Sequence, residues 1–477
     1  MRALPAPTRL FHYNFWYNNM STDFNTFALS PAMLANLASM GYQTMTPIQA
    51  ACLPAVLNNQ DVIAQAKTGS GKTAAFGIGL LAKIDPRNFG VQALVLCPTR
   101  ELADQVGKEI RRLARLTPNI KVLSLCGGAP LGPQIGSLEH GAHVVVGTPG
   151  RIKKHLDKAS LTLNNVNTLV LDEADRMLDM GFYDAIAEII ERAPSRRQTL
   201  LFSATYPTTI KELSARFQKD AVEVTVDSTD DEVVTEQVFF ETTGQNKPNI
   251  LAALLGHYRP ESAVVFCNTK IQCQEVADSL TAEGYSAQAL HGDMEQRDRD
   301  RVLVLFSNRS NPILVATDVA ARGLDVKDLQ AVISYDLAFE ADTHIHRIGR
   351  TGRAGKTGLA LSIVTPADAH RMIAIEEYQK APLVFGNANT LLQNRDAKPP
   401  AKMVTLCIDG GRKSKLRPGD ILGALTGDAG LSSEYIGKID IFDTYACVAI
   451  AQPVADKALK RLADGKIKGQ KFKVRKF

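Results

Sequence analysis

Three acids within four residues, Asp172, Glu173 and Asp175, follow directly on a short apolar run, Thr168-Leu169-Val170-Leu171, in the stretch VNTLVLDEADRMLDM at residues 166–180. The run has the length and composition of a buried strand. Acids crowded at the end of such a strand repel one another and cost stability unless a cation sits among them. In a nucleoside triphosphatase a carboxylate in this place, here Asp172, holds Mg²⁺, and its neighbour, here Glu173, handles the attacking water. The competing reading is an acidic helix N-terminus, which the helix dipole favours by itself.

The rest of the chain decides between them. Residues 61–65 read as a strand, residues 74–84 have helical spacing, and between them lie Ala66, Lys67, Thr68, Gly69, Ser70, Gly71, Lys72 and Thr73. This is the strand–loop–helix setting of a phosphate-binding loop. The glycines let backbone N–H groups converge on phosphate oxygens, Lys72 reaches the β- and γ-phosphates, and Thr73 ligates Mg²⁺. Ala66 stands where the first glycine is usual, a place that a small residue fills. Upstream, Gln49 in Thr46-Pro47-Ile48-Gln49 offers an amide that is donor and acceptor at once, which matches an adenine edge. A Gln that merely starts the next helix is the alternative.

A third group is basic. HIHRIGRTGRAG at residues 344–355 sets Arg347, Arg350 and Arg353 at i, i+3 and i+6. Three close arginines repel unless an anion sits between them, and two can reach a γ-phosphate as arginine fingers. The alternative is a basic surface turn. The strand expected at 198–202 ends in Ser203-Ala204-Thr205, whose short hydroxyls can hydrogen-bond to the acids and couple to their charge state. Pro98-Thr99-Arg100, Gly127-Gly128 and Thr148-Pro149-Gly150-Arg151 also leave strand ends. Hydroxyls, glycine N–H groups and arginines suit a sugar–phosphate backbone; as isolated turns they also serve purely structural ends.

The elements that must position these groups alternate. Strands are expected at 91–97, 121–125 and 144–147 and a helix at 101–116, which makes a parallel sheet with helices on both faces. Such sheets bind ligands at the carboxyl ends of their strands. An acidic linker at 227–236 leads to a second α/β unit whose first strand is 263–267. The turn after it, Asn268-Thr269-Lys270, has no glycine to cradle phosphate, so this unit holds no nucleotide of its own. His291-Gly292-Asp293, Arg299, a strand at 312–316 and Thr317 through Asp325 complete its loops.

Composition bounds the rest. A chain of 477 residues with 45% apolar and 22% charged residues reads as about three soluble globular domains. No run of about 18 apolar residues exists, which excludes a membrane-spanning helix. Seven cysteines without a C-x-x-C pair, mostly in apolar runs, point to buried thiols in a reducing cytosol. Residues 398–477 hold 16 Lys and Arg against 8 Asp and Glu, leaving 39 against 42 elsewhere, so the net charge of +5 comes entirely from the tail. A basic module on a near-neutral body points to a polyanionic partner, against a solvated basic face as the alternative. Residues 1–22 carry no acid and lack the apolar core of a signal peptide; they read as a disordered extension, with Met20 an alternative start.

Taken in order, Phe24, Gly41 with Gln49, AKTGSGKT, PTREL, GG, TPGR, DEAD, SAT, HGD, ATDVAARGLD and HRIGRTGR resemble the DEAD-box RNA helicases over about residues 24–377. The resemblance implies two RecA-like domains that close on ATP and single-stranded RNA. It implies that Gln49 reads adenine with Phe24 stacked on it and that Ala66 through Thr73 hold the phosphates. Thr73 and Asp172 would hold Mg²⁺, Glu173 would position or activate water, Arg350 and Arg353 would be the fingers, and Asp325 would contact the ribose. Thr99, Arg100, Gly128, Thr148, Arg151, Arg299 and Thr317 would line the RNA path.

After a linker at 381–403, residues 404–477 show the order βαββαβ, a ferredoxin-like fold as in an RNA-recognition motif. The aromatic sheet signature of that motif is missing, which argues against base stacking on the sheet. Arg412, Lys413 and Lys415 instead stand in a loop, with Arg417, Lys466 and Lys468 beside them. The stretch VTLCIDGGRKSKLRPGDILGALTGDAGL resembles the C-terminal domain of the bacterial DbpA group of DEAD-box proteins, which implies docking on a hairpin of 23S ribosomal RNA in pre-50S particles. The expected architecture is therefore α/β, with RecA-like domains at 23–227 and 236–380 and an RRM-like domain at 404–477. The expected activity is that of a cytoplasmic, RNA-stimulated, Mg²⁺-dependent ATPase that unwinds structured RNA, with neither DNA nor membrane as partner. An ATP-gated RNA clamp that seldom unwinds fits the same motifs.

Overall fold

The computed structural model describes residues 10–11, 22–66, 69–206, 208–226, 235–321, 329–352, 358–391, 398, 401–427 and 430–477. The chain divides into two compact units near residue 230. Among the described residues no helix is long and apolar enough to cross a membrane.

The first unit holds eight parallel strands: β1 Leu10–Phe11, β2 Val62–Gln65, β3 Ala93–Leu96, β4 Val122–Leu125, β5 Val144–Gly147, β6 Thr168–Asp172, β7 Gln198–Ser203 and β8 Val222–Thr225. They lie in the order β1-β8-β2-β7-β6-β3-β5-β4. The central strands are short apolar runs because a parallel sheet is buried on both faces. Alternation along β6 shows this directly. Val170 belongs to the core under the helices Pro47–Leu57, Lys72–Leu81 and Arg100–Leu113. Leu169 and Leu171 belong to the opposite core, under Pro149–Asp157, Tyr183–Glu191 and Thr208–Phe217. With side chains alternating at period two, Asp172 shares the face of Val170, the face of the helix that Lys72 begins.

The expected strands and helices are present to within a few residues. The helix Pro31–Ser39 is capped by Ser30 Oγ on Met33 N (3.2 Å), with Gly41 at φ +82° beyond its end. The loops expected at 98–100 and 148–151 open directly into helices, Arg100–Leu113 and Pro149–Asp157. Of the extension expected to be disordered at 1–22, Leu10–Phe11 depart from that expectation. They pair in parallel with Glu223 and Val224, where the edge of β8 leaves backbone groups to be satisfied.

The second unit begins with a six-stranded parallel sheet: β9 Thr235–Glu241, β10 Ala263–Cys267, β11 Ala287–Leu290, β12 Ile313–Thr317, β13 Ala331–Ser334 and β14 Gly358–Val364, ordered β11-β12-β10-β13-β14-β9. It ends in a four-stranded antiparallel sheet of β15 Met403–Ile408, β16 Ile436–Ile441, β17 Ala446–Ala451 and β18 Val474–Lys476, ordered β16-β17-β15-β18. The helices Pro418–Thr426 and Ala455–Asp464 pack on one side of it, over Leu406, Ile408, Val448 and Ile450. This is the ferredoxin-like arrangement expected of an RRM-like domain, beside two RecA-like sheets.

The other face of that small sheet carries Thr405, Cys407, Cys447 and Ala449, each no more than 1% exposed. Thr405 Oγ1 meets Asn308 Nδ2 at 3.1 Å and Ser310 Oγ at 2.5 Å, and the Arg301 guanidinium lies 4.9 Å from the Phe477 ring centre. The face on which an RRM stacks bases is therefore covered by the 301–310 segment of its own chain.

Candidate nucleotide and RNA site

The strand order brings the predicted catalytic groups together. β7 lies between β2 and β6, in register Gln65↔Ser203 and Phe202↔Asp172. At about 4.8 Å between strands, the phosphate loop, Ser203 and Asp172 occupy three neighbouring carboxyl ends. Ala66 N donates to Ser203 O (3.1 Å), so the loop leaves the sheet tied to the SAT segment.

Within the loop, Gly71 adopts φ +99°, and a Cβ there would stand 2.6 Å from Gln49 Nε2 and 2.7 Å from Thr46 Oγ1. Only glycine meets both demands. Gln49 is 1% exposed. Its Oε1 accepts from Thr46 N (2.9 Å) and its Nε2 donates to Gly71 O (3.2 Å). It thus caps the helix Pro47–Leu57 and grips the loop together, and one amide hydrogen and one lone pair remain for a base edge. Phe24 is 3% exposed, packed edge-on to Tyr42 and against Leu29, Met33 and Leu37, so its ring is part of a core cluster before any adenine contact. Lys72 is buried, with Nζ donating to Ala66 O at 2.8 Å. Lys67 and Thr68 lie outside the described residues.

Burial pushes the Asp172 carboxyl up to about 7; the Lys72 charge opposes this and Glu173 adds to it. Glu173 itself sits at φ 52°, ψ 53°, a left-handed conformation that a non-glycine residue holds only under constraint. That backbone turn redirects the chain from β6 into the helix Ala174–Asp179. Asp175 is buried and accepts from Ala204 N (3.1 Å), Thr205 N (2.9 Å) and Thr205 Oγ1 (2.9 Å). The hydroxyl hydrogen bond expected between the SAT segment and the acids is thus made by Thr205. Among the described residues, Ser203 Oγ and Ser70 Oγ are buried without a hydrogen-bond partner.

These features fit Mg²⁺ and a nucleoside triphosphate. A desolvated carboxylate, a buried ammonium and two orphaned hydroxyls converge where phosphate and metal would satisfy them. Thr73 and Asp172 would hold the ion, and Lys72 with the loop N–H groups would hold the phosphates.

The predicted RNA residues cluster on the other half of the sheet, at the ends of β3, β5 and β4. Thr99 caps the helix Arg100–Leu113 by accepting from Leu102 N (3.2 Å). Gly128 has φ +80°, and a Cβ there would stand 1.7 Å from Arg100 Nη1, so glycine gives Arg100 its place. Thr148 is the N-cap residue of the helix Pro149–Asp157. Arg151 donates from Nη1 to Gln134 Oε1 and from Nη2 to Ala129 O, both 2.9 Å. Gln134 Oε1 also meets His155 Nε2 at 2.9 Å, and burial and then the Arg151 charge pull His155 below its ordinary value. Gln134 and His155 carry no motif of their own in the sequence; only the fold shows that they brace Arg151.

In the second unit the carboxyl ends of β11, β12, β10 and β13 are adjacent, which groups His291 through Asp293, Thr317 with Asp318, Asn268 through Lys270, and Asp336. Arg299 Nη1 donates to His291 O (3.3 Å). Arg347, read from sequence as one of three repelling arginines, is 2% exposed, and its anion is Asp318 of the same unit. The helix Ala341–Ile348 ends at Gly349, so Arg350 stands half-buried in the following turn and not on a common helical face. Arg353 and Asp325 lie outside the described residues. In the small domain Arg412, Lys413 and Lys415 are exposed; Arg412 reaches Asp443 (3.4 Å) and Ile441 O (3.0 Å).

Comparison with known proteins agrees with this layout. The chain matches the DEAD/DEAH box helicase family over residues 46–213, the helicase conserved C-terminal domain over 246–355 and the DbpA RNA binding domain over 405–476. It is 56% identical over 457 residues to the ATP-dependent RNA helicase DbpA of Escherichia coli (strain K12), covering 95% of this chain and 99% of that one. It is 44% identical over 362 residues to the DEAD-box ATP-dependent RNA helicase CshA of Bacillus subtilis (strain 168), covering 76% and 73%. Among solved structures, S. cerevisiae Dbp5 bound to RNA and ADP BeF3 superimposes with a TM-score of 0.72 at 29% identity, covering 79% of this chain and 98% of that one. Mss116p bound to ssRNA and AMP-PNP gives 0.70 at 26%, covering 78% and 80%. The phosphate loop, the acids of β6 and the basic C-terminal domain are thus those of a member of the DEAD-box family of ATP-dependent RNA helicases, an RNA-dependent ATPase.

Proposed function

We propose that this helicase acts on structured ribosomal RNA, with residues 404–477 choosing the site. The observation that carries the reading is the distribution of charge and burial in the tail. The basic excess of the chain lies in residues 398–477, while the sheet face of that domain is covered. RNA is then left to the exposed loops, where Arg412, Lys413 and Lys415 stand. The match to an RNA-binding domain over 405–476 supports the same reading.

In the proposed cycle the tail anchors a structured RNA, a hairpin of 23S ribosomal RNA in a cytoplasmic pre-50S particle. An adjacent strand lies over Thr99, Arg100, Gly128, Thr148 and Arg151 on the first unit and Arg299 and Thr317 on the second. ATP favours the closed, strand-bending arrangement of the core. Gln49 and Phe24 recognise adenine, Asp325 the ribose, and Arg350 and Arg353 the γ-phosphate. Thr73 and Asp172 hold Mg²⁺ and Glu173 orients or activates water. Hydrolysis, sensed through Asp175 and Thr205, releases the strand.

The test is the ATPase rate of the full chain with no nucleic acid, DNA, generic RNA and a 23S fragment carrying the candidate hairpin. Selective stimulation by the hairpin fragment is expected. Equal stimulation by any RNA overturns the targeting and leaves a basic anchor.

A further inference from the structure

The opposite end of the first sheet carries a second polar concavity. Asn59, Lys83, Asn167, Arg196, Arg197 and Gln198 line a cavity of about 440 Å³. Asn167 immediately precedes β6 and Gln198 opens β7, so the full length of those strands, roughly 17–20 Å, separates it from Asp172 and Ser203.

Three of the six lining residues are cations. The acid whose charge reaches Lys83 and Arg197 is Asp61, and its two oxygens already accept from Thr199 N (2.6 Å) and Lys219 N (2.7 Å). Among the described residues none of the three cations forms an ion pair with an acid. Arg197 Nη1 donates to Pro194 O (2.7 Å), and its Nε is buried with no partner among the described residues. Lys83 Nζ donates to two neutral acceptors, Asn59 Oδ1 (2.7 Å) and Gln198 Oε1, and an ammonium has a third hydrogen to give. Gln198 is locked by its Nε2, which donates to Val56 O (3.0 Å) and Gln60 O (2.6 Å), so its Oε1 holds Lys83 in place. Burial pulls Lys83 down to about 8 against the pull of Asp61, and it lowers Arg197 as well. Partly desolvated cations held by neutral amides gain most from an oxyanion, which accepts from ammonium and guanidinium together.

We propose that this cavity binds a phosphate group through Lys83, Arg196 and Arg197, at a site separate from the ATP loop. The phosphate belongs either to a small phosphoanion or to an RNA backbone, and the experiment separates the two.

Lys83 reports on its own site. The full chain, with Mg·ADP saturating the phosphate loop, is acylated at pH 8 with an amine-reactive ester, and modification of each lysine is followed by peptide mass spectrometry. Inorganic pyrophosphate at matched ionic strength is expected to slow acylation of Lys83, about tenfold at ten times its Kd, and to leave exposed Lys158 unchanged. Arg196→Gln, at an exposed side chain whose loss leaves the core intact, is expected to remove most of that protection. Protection by pyrophosphate assigns a small phosphoanion; protection by single-stranded RNA alone assigns a backbone phosphate. A Lys83 rate unchanged by both, or protection undiminished in Arg196→Gln, overturns the proposal.

Discussion

Arg347 and Asp318 are joined by two hydrogen bonds of 2.7 Å, from Nε to Oδ1 and from Nη2 to Oδ2. The same guanidinium donates to Asn268 Oδ1 (2.8 Å) and Asp336 O (2.5 Å) and lies 5.0 Å from the Phe266 ring centre. One side chain therefore ties the ends of β10, β12 and β13 to the helix that precedes Arg350. A planar fork does this; a point charge cannot.

Arg347→Lys is accordingly expected to cost about 3 kcal/mol, the scale of breaking a buried pair, and to reduce RNA-stimulated turnover while nucleotide affinity of the first unit holds. Denaturant midpoints and ATPase rates of the full chain check this. A lysine variant with unchanged midpoint and turnover removes the anchoring role.

Glu173→Gln keeps the size and the backbone of the residue but takes away its charge. Binding of ATP and RNA is expected to persist while hydrolysis falls 10²–10⁴-fold, roughly the contribution of a positioned general base. Single-turnover hydrolysis with bound RNA is the measurement, and undiminished turnover rejects the assigned role.

Gly71→Ala meets both a left-handed backbone and the Gln49 amide. The backbone alone costs about 1–2 kcal/mol, enough for roughly a tenfold loss of nucleotide affinity if spent on the bound conformation. Titration with a fluorescent ADP analogue reads it out.

His344 gives a pH dependence. Burial, and then the Arg347 charge, hold it down at about 4, and its Nε2 accepts from Gln237 Nε2 (2.7 Å). A proton on Nε2 would face that amide donor. The unfolded chain takes up the proton below about 6.5 and the folded chain only near 4, so stability is present at neutral pH and is lost as pH falls between these values. Between pH 7 and pH 5 the loss is on the order of 2 kcal/mol. Tm measured across that range should fall more steeply for the natural chain than for His344→Gln; parallel curves exclude His344 as the cause.

Much of the fold was legible because its signals are local. The phosphate loop announces itself by glycines between a strand and a helix, and the apolar runs at 144–147 and 168–171 are the right length for buried parallel strands. Gln49 could be read as helix start or as base reader, and the structure shows the first together with a grip on Gly71 O. Phe24 could not be placed in a core from its neighbours in sequence, since Tyr42 and Leu37 reach it only through the fold. The role of Arg347 was hidden for the same reason: Asp318 lies 29 residues away and is brought near only by strand order.

The sequence by itself determined the chemistry: a nucleotide loop, an acidic strand end, an arginine cluster and a basic tail, because each depends on residue types at close spacing. Tertiary structure decided partnership. Parallel pairing puts β7 between β2 and β6, so Thr205 meets Asp175 and Ala66 meets Ser203. Packing against 301–310 covers the sheet face of the last domain. Such relations depend on strand order and on surface buried between distant segments, and neither leaves a periodic trace in the chain.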